Sequence, residues 1–321
     1  MIINSHVHIS TDENYFFYNN YGLQQFLTEM DDNNVDFALP TLNPKLSIFR
    51  CPNDCSMHCP KTANSVNNNL NSCNCSNAKR HRIGIFEESE KLVLKCKTCG
   101  TIILKSSIDP LHNYNIALMN LTKSYRTKMR PLIYLSLCKS TIQAEIDFFE
   151  NTYGNEFAGF KFHPWNDQVS VAGFRVHTNK PILIHTGMRY LESGANAITF
   201  AENNPDVKIV VAHAGALNET CLRKIAVLKN VFVDCCPSTF MFKAKYSSLF
   251  SPDEINSPED IYYKVLDFVP SNKILFGSDS PWGNSEDELA VISKLHISES
   301  VKKQILYKNA VRLYGLDCGW Y

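Results

Sequence analysis

The sequence predicts an α/β protein of the (β/α)8 TIM-barrel class, interrupted by a Cys-rich insertion after its second strand. Three observations lead there. Short apolar runs alternate with stretches of helical period along most of the 321 residues. His or Asp closes several of those runs at the C-terminal end. Seven of the twelve cysteines crowd into one 49-residue window that breaks the alternation.

Eight candidate strands cover residues 1–7, 35–41, 130–137, 158–163, 181–186, 207–213, 231–236 and 273–279. Each is short, rich in β-branched or aromatic residues and apolar on both parities, as strands covered on both faces are. Helical period marks 23–34, 111–125, 141–151, 196–204, 218–229, 258–268 and 284–314. Ser140-Thr141, Asn218 and Ser257 (with Pro258 following) read as N-caps. Residues 164–180 read as loop or broken helix. Eight alternations fit a barrel; a doubly wound open sheet has the same local pattern.

Residues 43–107 stand apart from the barrel segments 1–42 and 108–321. Within them, 64–77 holds seven Asn in 14 residues and cannot be core. Connections that follow strands lie on the C-terminal face of a barrel, where its active sites are built. The insertion is therefore expected over the mouth.

Composition narrows the function. Lys plus Arg and Asp plus Glu are 32 each, which argues against a nucleic-acid or membrane-surface binder driven by net charge. No apolar run approaches the roughly 18 residues of a membrane span. MIINSHVH lacks the basic and apolar regions of a secretory signal, so a cytoplasmic protein is expected. Thiols stay reduced there, and a dense Cys cluster reads as a metal site before it reads as disulfides.

His6 and His8 lie two apart on the first strand and so share a face. Alone, the pair is weak: two polar residues near a strand end is the commoner explanation. His163, His185, His213 and Asp279 shift the balance, because each ends a later apolar run. In a barrel those ends converge on one mouth, and a metal site explains the placement of these four and the first-strand pair better than separate accidents.

The strings INSHVH, GFKFHP, ILIHTG, VVAHAG and ILFGSDSP, in this order, resemble the amidohydrolase superfamily. They are most similar to its amidohydrolase-related branch of metal-dependent TIM-barrel hydrolases and decarboxylases, as is the terminal LYKNAVRLYGL. The likeness covers 1–42 and 108–316. It is specific for fold and metal and poorly specific for substrate. It implies that His6, His8, His185 and Asp279 hold a catalytic metal, with His213 beside it as acid/base or transition-state partner. Three neutral imidazoles and one carboxylate suit Zn2+, with Mn2+ or Fe2+ as alternatives. Asp279 would touch the metal and accept the proton of its water.

Lys161 and His163 share a parity on the fourth strand. One family variant has a carboxylated lysine there and another branch a glutamate; GFKFHP holds no glutamate, which puts a two-metal site in doubt. Lys161 or His163 instead suits a substrate carboxylate or phosphate, against an interior ion pair for Lys161. Arg189, four residues past His185, suits an anion clamp, although a solvated arginine is the commoner case. Trp282 suits a pocket wall or packing equally. Cys235 and Cys236 read as buried, inert thiols.

In the insertion, Cys96-Lys-Thr-Cys99-Gly between KLVLK and TIILK has the shape of a zinc-ribbon knuckle. Cys51, Cys55, His58, Cys59, Cys73 and Cys75 bring the ligand count to eight, enough for two structural zincs. One four-thiolate site with spare thiols is simpler, and an iron–sulfur cluster lacks a familiar spacing. Residues 51–107 hold eight Lys/Arg against four Asp/Glu, a net +4. A basic lid that shapes the pocket for an anionic substrate is favoured over nucleic-acid or protein contact.

The expected activity is metal-dependent hydrolysis of a C–N or C–O bond (amide, lactone or ester) in a small molecule. Non-oxidative decarboxylation of an unsaturated or aromatic acid uses the same ligands. A binding or regulatory protein, with the zinc ribbon on a relic barrel, is the alternative of another class. Substrate, metal and oligomeric state are left open by the sequence.

Overall fold

The computed structural model describes residues 1–10, 21–42, 83–89, 91–96, 100–106, 108–109, 111–137, 140–167, 169–243 and 255–316. Eight strands form one parallel sheet: β1 (Ile3–His8), β2 (Phe37–Thr41), β6 (Leu132–Leu135), β7 (Gly159–Phe162), β8 (Ile182–Ile184), β9 (Ile209–Val211), β10 (Val231–Asp234) and β11 (Ile274–Leu275). Their spatial order is their chain order. Backbone bonds then join the last strand to the first: Ser5 N–H donates to Phe276 O at 3.0 Å and Ser278 N–H to His6 O at 3.1 Å. Sequential order with closure is a barrel, which decides against the open sheet.

Side-chain alternation divides the barrel wall. Ile182, Ile184, Ile209, Val211, Val231 and Val233 face outward in a cluster shared with the surrounding helices. Leu39, Leu132, Leu183, Val210, Phe232 and Leu275 face inward and pack one another. On β1 the pairing with β2 slips between Asn4 and Val7. That bulge lets Ile3 join the inner apolar cluster while His6, three residues on, also points inward.

The helices are α1 (Leu23–Asp32), α2 (His112–Thr122), α3 (Ile142–Tyr153), α4 (Pro164–Asp167), α5 (Gly194–Asn203), α6 (Glu219–Val227), α7 (Ser238–Lys243), α8 (Pro258–Phe268), α9 (Ser285–Lys294), α10 (Glu299–Lys303) and α11 (Asn309–Tyr314). Asn218 caps α6 through Cys221 N–H. Ser257 caps α8 in a box with Asp260, with Pro258 in the first turn. Thr141 occupies the N-cap of α3, but its side chain makes no capping bond. The single helix expected over 284–314 is broken: α9 stops at Lys294, Ser298 starts α10 with a new cap, and a π turn (Gln304–Lys308) leads into α11. Leu313 and Tyr314 of α11 close the lower end of the barrel interior.

A separate antiparallel sheet comprises β3 (Ile83–Glu88), β4 (Lys91–Cys96) and β5 (Ile102–Ser106). β4 and β5 are the two strands expected around the knuckle; β3 was not anticipated. Cys96 N–H donates to Thr101 O at 3.0 Å and Gly100 N–H to Cys96 O at 2.9 Å, with Gly100 at φ +72°. Leu94 and Cys96 are buried in one cluster with Val7, Ile9, Phe26 and Met30, so this sheet packs on barrel elements. Cys51, Cys55, His58, Cys59, Cys73, Cys75 and Cys99 lie outside the described residues.

Candidate metal centre at the barrel mouth

The upper interior of the barrel is as buried as the lower but polar. His6, Lys161 and Asp234 are wholly buried, and His8, His213 and Asp279 nearly so. His6 Nε2 and His8 Nε2 stand 3.2 and 3.1 Å from the same oxygen, Asp279 Oδ1. Gly277 makes room for this: a Cβ there would sit 2.8 Å from His6 Cβ and 2.8 Å from Cys236 Sγ.

Hydrogen-bond partners fix the tautomers of His213 and His6, while His8 lies between two acceptors, with Leu42 O 3.3 Å from Nδ1 and Asp279 Oδ1 3.1 Å from Nε2. His213 Nδ1 donates to Cys236 O, since a carbonyl only accepts. His213 Nε2 then accepts from His185 Nδ1 at 3.0 Å. Lys161 Nζ lies 2.9 Å from His6 Nε2, and an ammonium only donates. His6 therefore carries its proton on Nδ1, which donates to Asp234 Oδ2 at 2.9 Å.

Two imidazole Nε2 atoms and a carboxylate oxygen thus face one another. Burial above all lowers the pKa of His6 and His8, which keeps both rings neutral. Burial pushes Asp279 up, but His213, His8 and Lys161 together outweigh it and hold the carboxyl below its ordinary value. Burial lowers Lys161 to about 8 and His213 to about 3. Lys161 supplies positive charge beside His6, and the donor types, two imidazoles and a carboxylate with donor atoms within 4.8 Å of one another, fit a divalent metal.

Asp279 is held in place from several sides. Its N–H donates to His6 O at 2.8 Å, and its backbone is left-handed at φ +53°. Its neighbour Ser280 donates to Glu29 Oε1 at 2.7 Å, an oxygen that also accepts from Ser285 N–H and Oγ at 2.8 and 2.6 Å. Asn4 Oδ1 accepts from Ser278 N–H at 3.1 Å.

Of the expected ligands, His6, His8 and Asp279 form one group whose donor atoms all lie within 4.8 Å, and His185 stands outside it. The His185 ring stacks on His163 at 3.8 Å, and its Nε2 faces Glu192 Oε2 at 3.4 Å. Lys161 Nζ meets His6 Nε2 at 2.9 Å inside the barrel. The Arg189 guanidinium lies over the Trp165 ring at 3.9 Å. Trp282 stands edge-on to His8 at 5.1 Å and walls that side.

Sequence reasoning missed Asp234, Glu29, Asn4 and Glu192. Asp234 carried a usable signal, since it ends the apolar run VFVD as His185 and His213 end theirs. Glu29 carried none, because an acidic residue on an amphipathic helix normally faces solvent. Cys235 and Cys236 are buried, and burial raises both thiol pKa values.

Residues 176–316, which hold His185, His213, Asp234 and Asp279, match the amidohydrolase family model. No curated protein sequence matches the chain. Many solved structures share its fold, among them the following three. A 2,6-dihydroxybenzoate decarboxylase from Rhizobium is 12% identical at TM-score 0.58, covering 98% of this chain and 99% of that one. A protein described as a probable 2-pyrone-4,6-dicarboxylic acid hydrolase from Acinetobacter baumannii is 12% identical at TM-score 0.55, with coverage of 98% and 99%. A dihydroxybenzoic acid decarboxylase from Polaromonas sp. JS666, which contains manganese, is 12% identical at TM-score 0.59, with coverage of 100% and 99%. At such identity these likenesses speak to fold alone. The family match over residues 176–316 supports the amidohydrolase superfamily, and the chain is an enzyme. Among the described residues no helix is long and apolar enough to cross a membrane.

Proposed function

We propose that this enzyme is a metal-dependent hydrolase of a C–N or C–O bond (amide, lactone or ester) in a small anionic molecule. One observation carries the reading: His6 Nε2 and His8 Nε2 converge on Asp279 Oδ1, at 3.2 and 3.1 Å. His6, His8 and Asp279 would hold the metal, and His185 would complete the set by turning from Glu192. Zinc suits the donors, with manganese or iron as alternatives. Such an ion supplies Lewis acidity and makes water nucleophilic near neutrality. Asp279 would accept the proton that the water loses, and His213 would stabilise the oxyanion or pass that same proton on to the leaving group. Lys161, His163 and Arg189 bind the substrate's negative charge, and Trp282 lines the pocket.

Decarboxylation of an unsaturated or aromatic acid is the second reading. The buried Lys161 ammonium favours it, since it offers a substrate carboxylate a counter-charge inside the barrel. Assay of a lactone, ester and amide panel alongside carbon dioxide release from aromatic acids separates the two. Hydrolysis without carbon dioxide release supports the first; the converse supports the second. An intact donor set argues against a relic barrel, and unchanged cellular activity in Asp279→Ala would revive that view.

For residues 43–107 we propose an insertion that binds one or two structural zincs through Cys96, Cys99 and the upstream cysteines and His58. Deletion of 51–99 is expected to leave one metal per chain and remove the rest. Loss of all metal together would make lid and barrel one cooperative unit.

A further inference from the structure

Asp234 is wholly buried below the mouth and uses both carboxylate oxygens inside the barrel. Oδ2 accepts from His6 Nδ1 at 2.9 Å. Oδ1 accepts the backbone N–H of His213 at 2.9 Å, with the Cys236 thiol 3.4 Å away. His213 opens a run of five residues, through Leu217, with φ between +52° and +61°. Four of the five are not glycine, so the backbone there is strained and its first N–H needs a fixed acceptor.

We infer that Asp234 is the positioning residue of the centre, setting the His6 tautomer and anchoring the His213 backbone through one carboxylate. This rests on the metal reading above. Two independent contacts point to the same proton position on His6: a carboxylate that accepts at Nδ1 and an ammonium that donates at Nε2. The lone pair is thereby left on the nitrogen that faces Asp279. A carboxylate behind a ligating imidazole fixes ring orientation and raises ligand basicity. Here the same group also reaches the residue proposed to move protons, so β10 ties together chemistry contributed by β1 and by the loop after β9. Asp234 needs no contact with substrate to do this.

Asparagine is the informative substitution. Its side chain has one acceptor oxygen and one donor nitrogen, while two N–H donors, one at each oxygen of Asp234, face it. Either the His213 N–H or the His6 Nδ1–H loses its acceptor, or His6 moves its proton to Nε2. In metal-free wild type labelled with 15N-histidine, long-range proton–nitrogen spectra should report His6 as the Nδ1–H tautomer. The His6 signals are assigned by their loss in His6→Ala. An Nε2–H signal from wild-type His6 overturns the inference, and this measurement needs no Asp234 variant to fold. In Asp234→Asn that retains its circular dichroism, zinc affinity by chelator competition should fall about tenfold to a hundredfold. A folded variant with wild-type zinc affinity also overturns it. Wild type that binds no divalent metal removes the metal reading instead, and the nitrogen signal still decides the tautomer.

Discussion

The lower and upper halves of the barrel interior are built by the same strands and are equally dry, yet they differ in kind. On β10, Phe232 packs the lower layer and Asp234, two residues on, enters the upper network. On β8, Leu183 lies below and His185 follows it at the mouth. The lower half gains free energy for each apolar surface it removes from water. The upper half gains little from burial, because every polar atom must find a partner there to offset desolvation. One half holds the cylinder closed, and the other uses that rigidity to keep imidazole nitrogens and carboxylate oxygens facing one another.

The comparison breaks most severely at Asp279. Asp279→Ala should reduce metal at the mouth from one ion to nearly none and turnover by about a thousandfold, while the thermal midpoint moves little. Elemental analysis beside calorimetry checks both. The opposite pattern is expected below. Leu183→Ala opens a cavity in the lower layer and should cost about 2–5 kcal/mol in denaturant unfolding, with metal content retained. If either substitution changed metal and stability together, the two halves would not be separable.

A smaller effect comes from a buried acid outside the mouth. Glu288 accepts from Ser238 Oγ at 2.8 Å and from Thr239 N–H at 3.3 Å, and burial pushes its pKa up to about 8. The folded chain therefore holds this proton more tightly than the unfolded chain. The stability it contributes is complete below the unfolded value of 4.5 and is lost as pH rises through about 8. Glu288→Gln should flatten that part of the stability–pH curve, read as thermal midpoint against pH. The smallest expected change is at Tyr314, whose buried hydroxyl has no partner among the described residues. Tyr314→Phe should stabilise by about 1 kcal/mol by removing an unsatisfied group, with metal and turnover unchanged.

Much of the architecture was legible along the chain. Apolar runs marked all eight barrel strands; the His-x-His spacing singled out His6 and His8, and the ends of later runs singled out His163, His185, His213 and Asp279, of which the fold groups Asp279 with the first pair. The same rule applied to VFVD would have found Asp234. The helix expected over 284–314 was drawn too long because its period runs on past a change of direction at Leu295. The third strand of the small sheet, Ile83–Glu88, sits beside an Asn-rich stretch whose composition hides it. His185 was expected among the ligands, but its ring turns to His213 and Glu192, a choice made by side chains that are not its sequence neighbours.

By itself, the sequence determined the alternation of strand and helix and the kinds of donor at the strand ends. These follow from local period and from where an apolar run stops. Tertiary structure alone decided that the sheet closes, that a slip in β1 turns His6 inward, and that Asp234, 228 positions away, holds that ring. Such facts depend on which strands become neighbours and which hydrogen-bond partners they then share, and neither is a property of any one segment of chain.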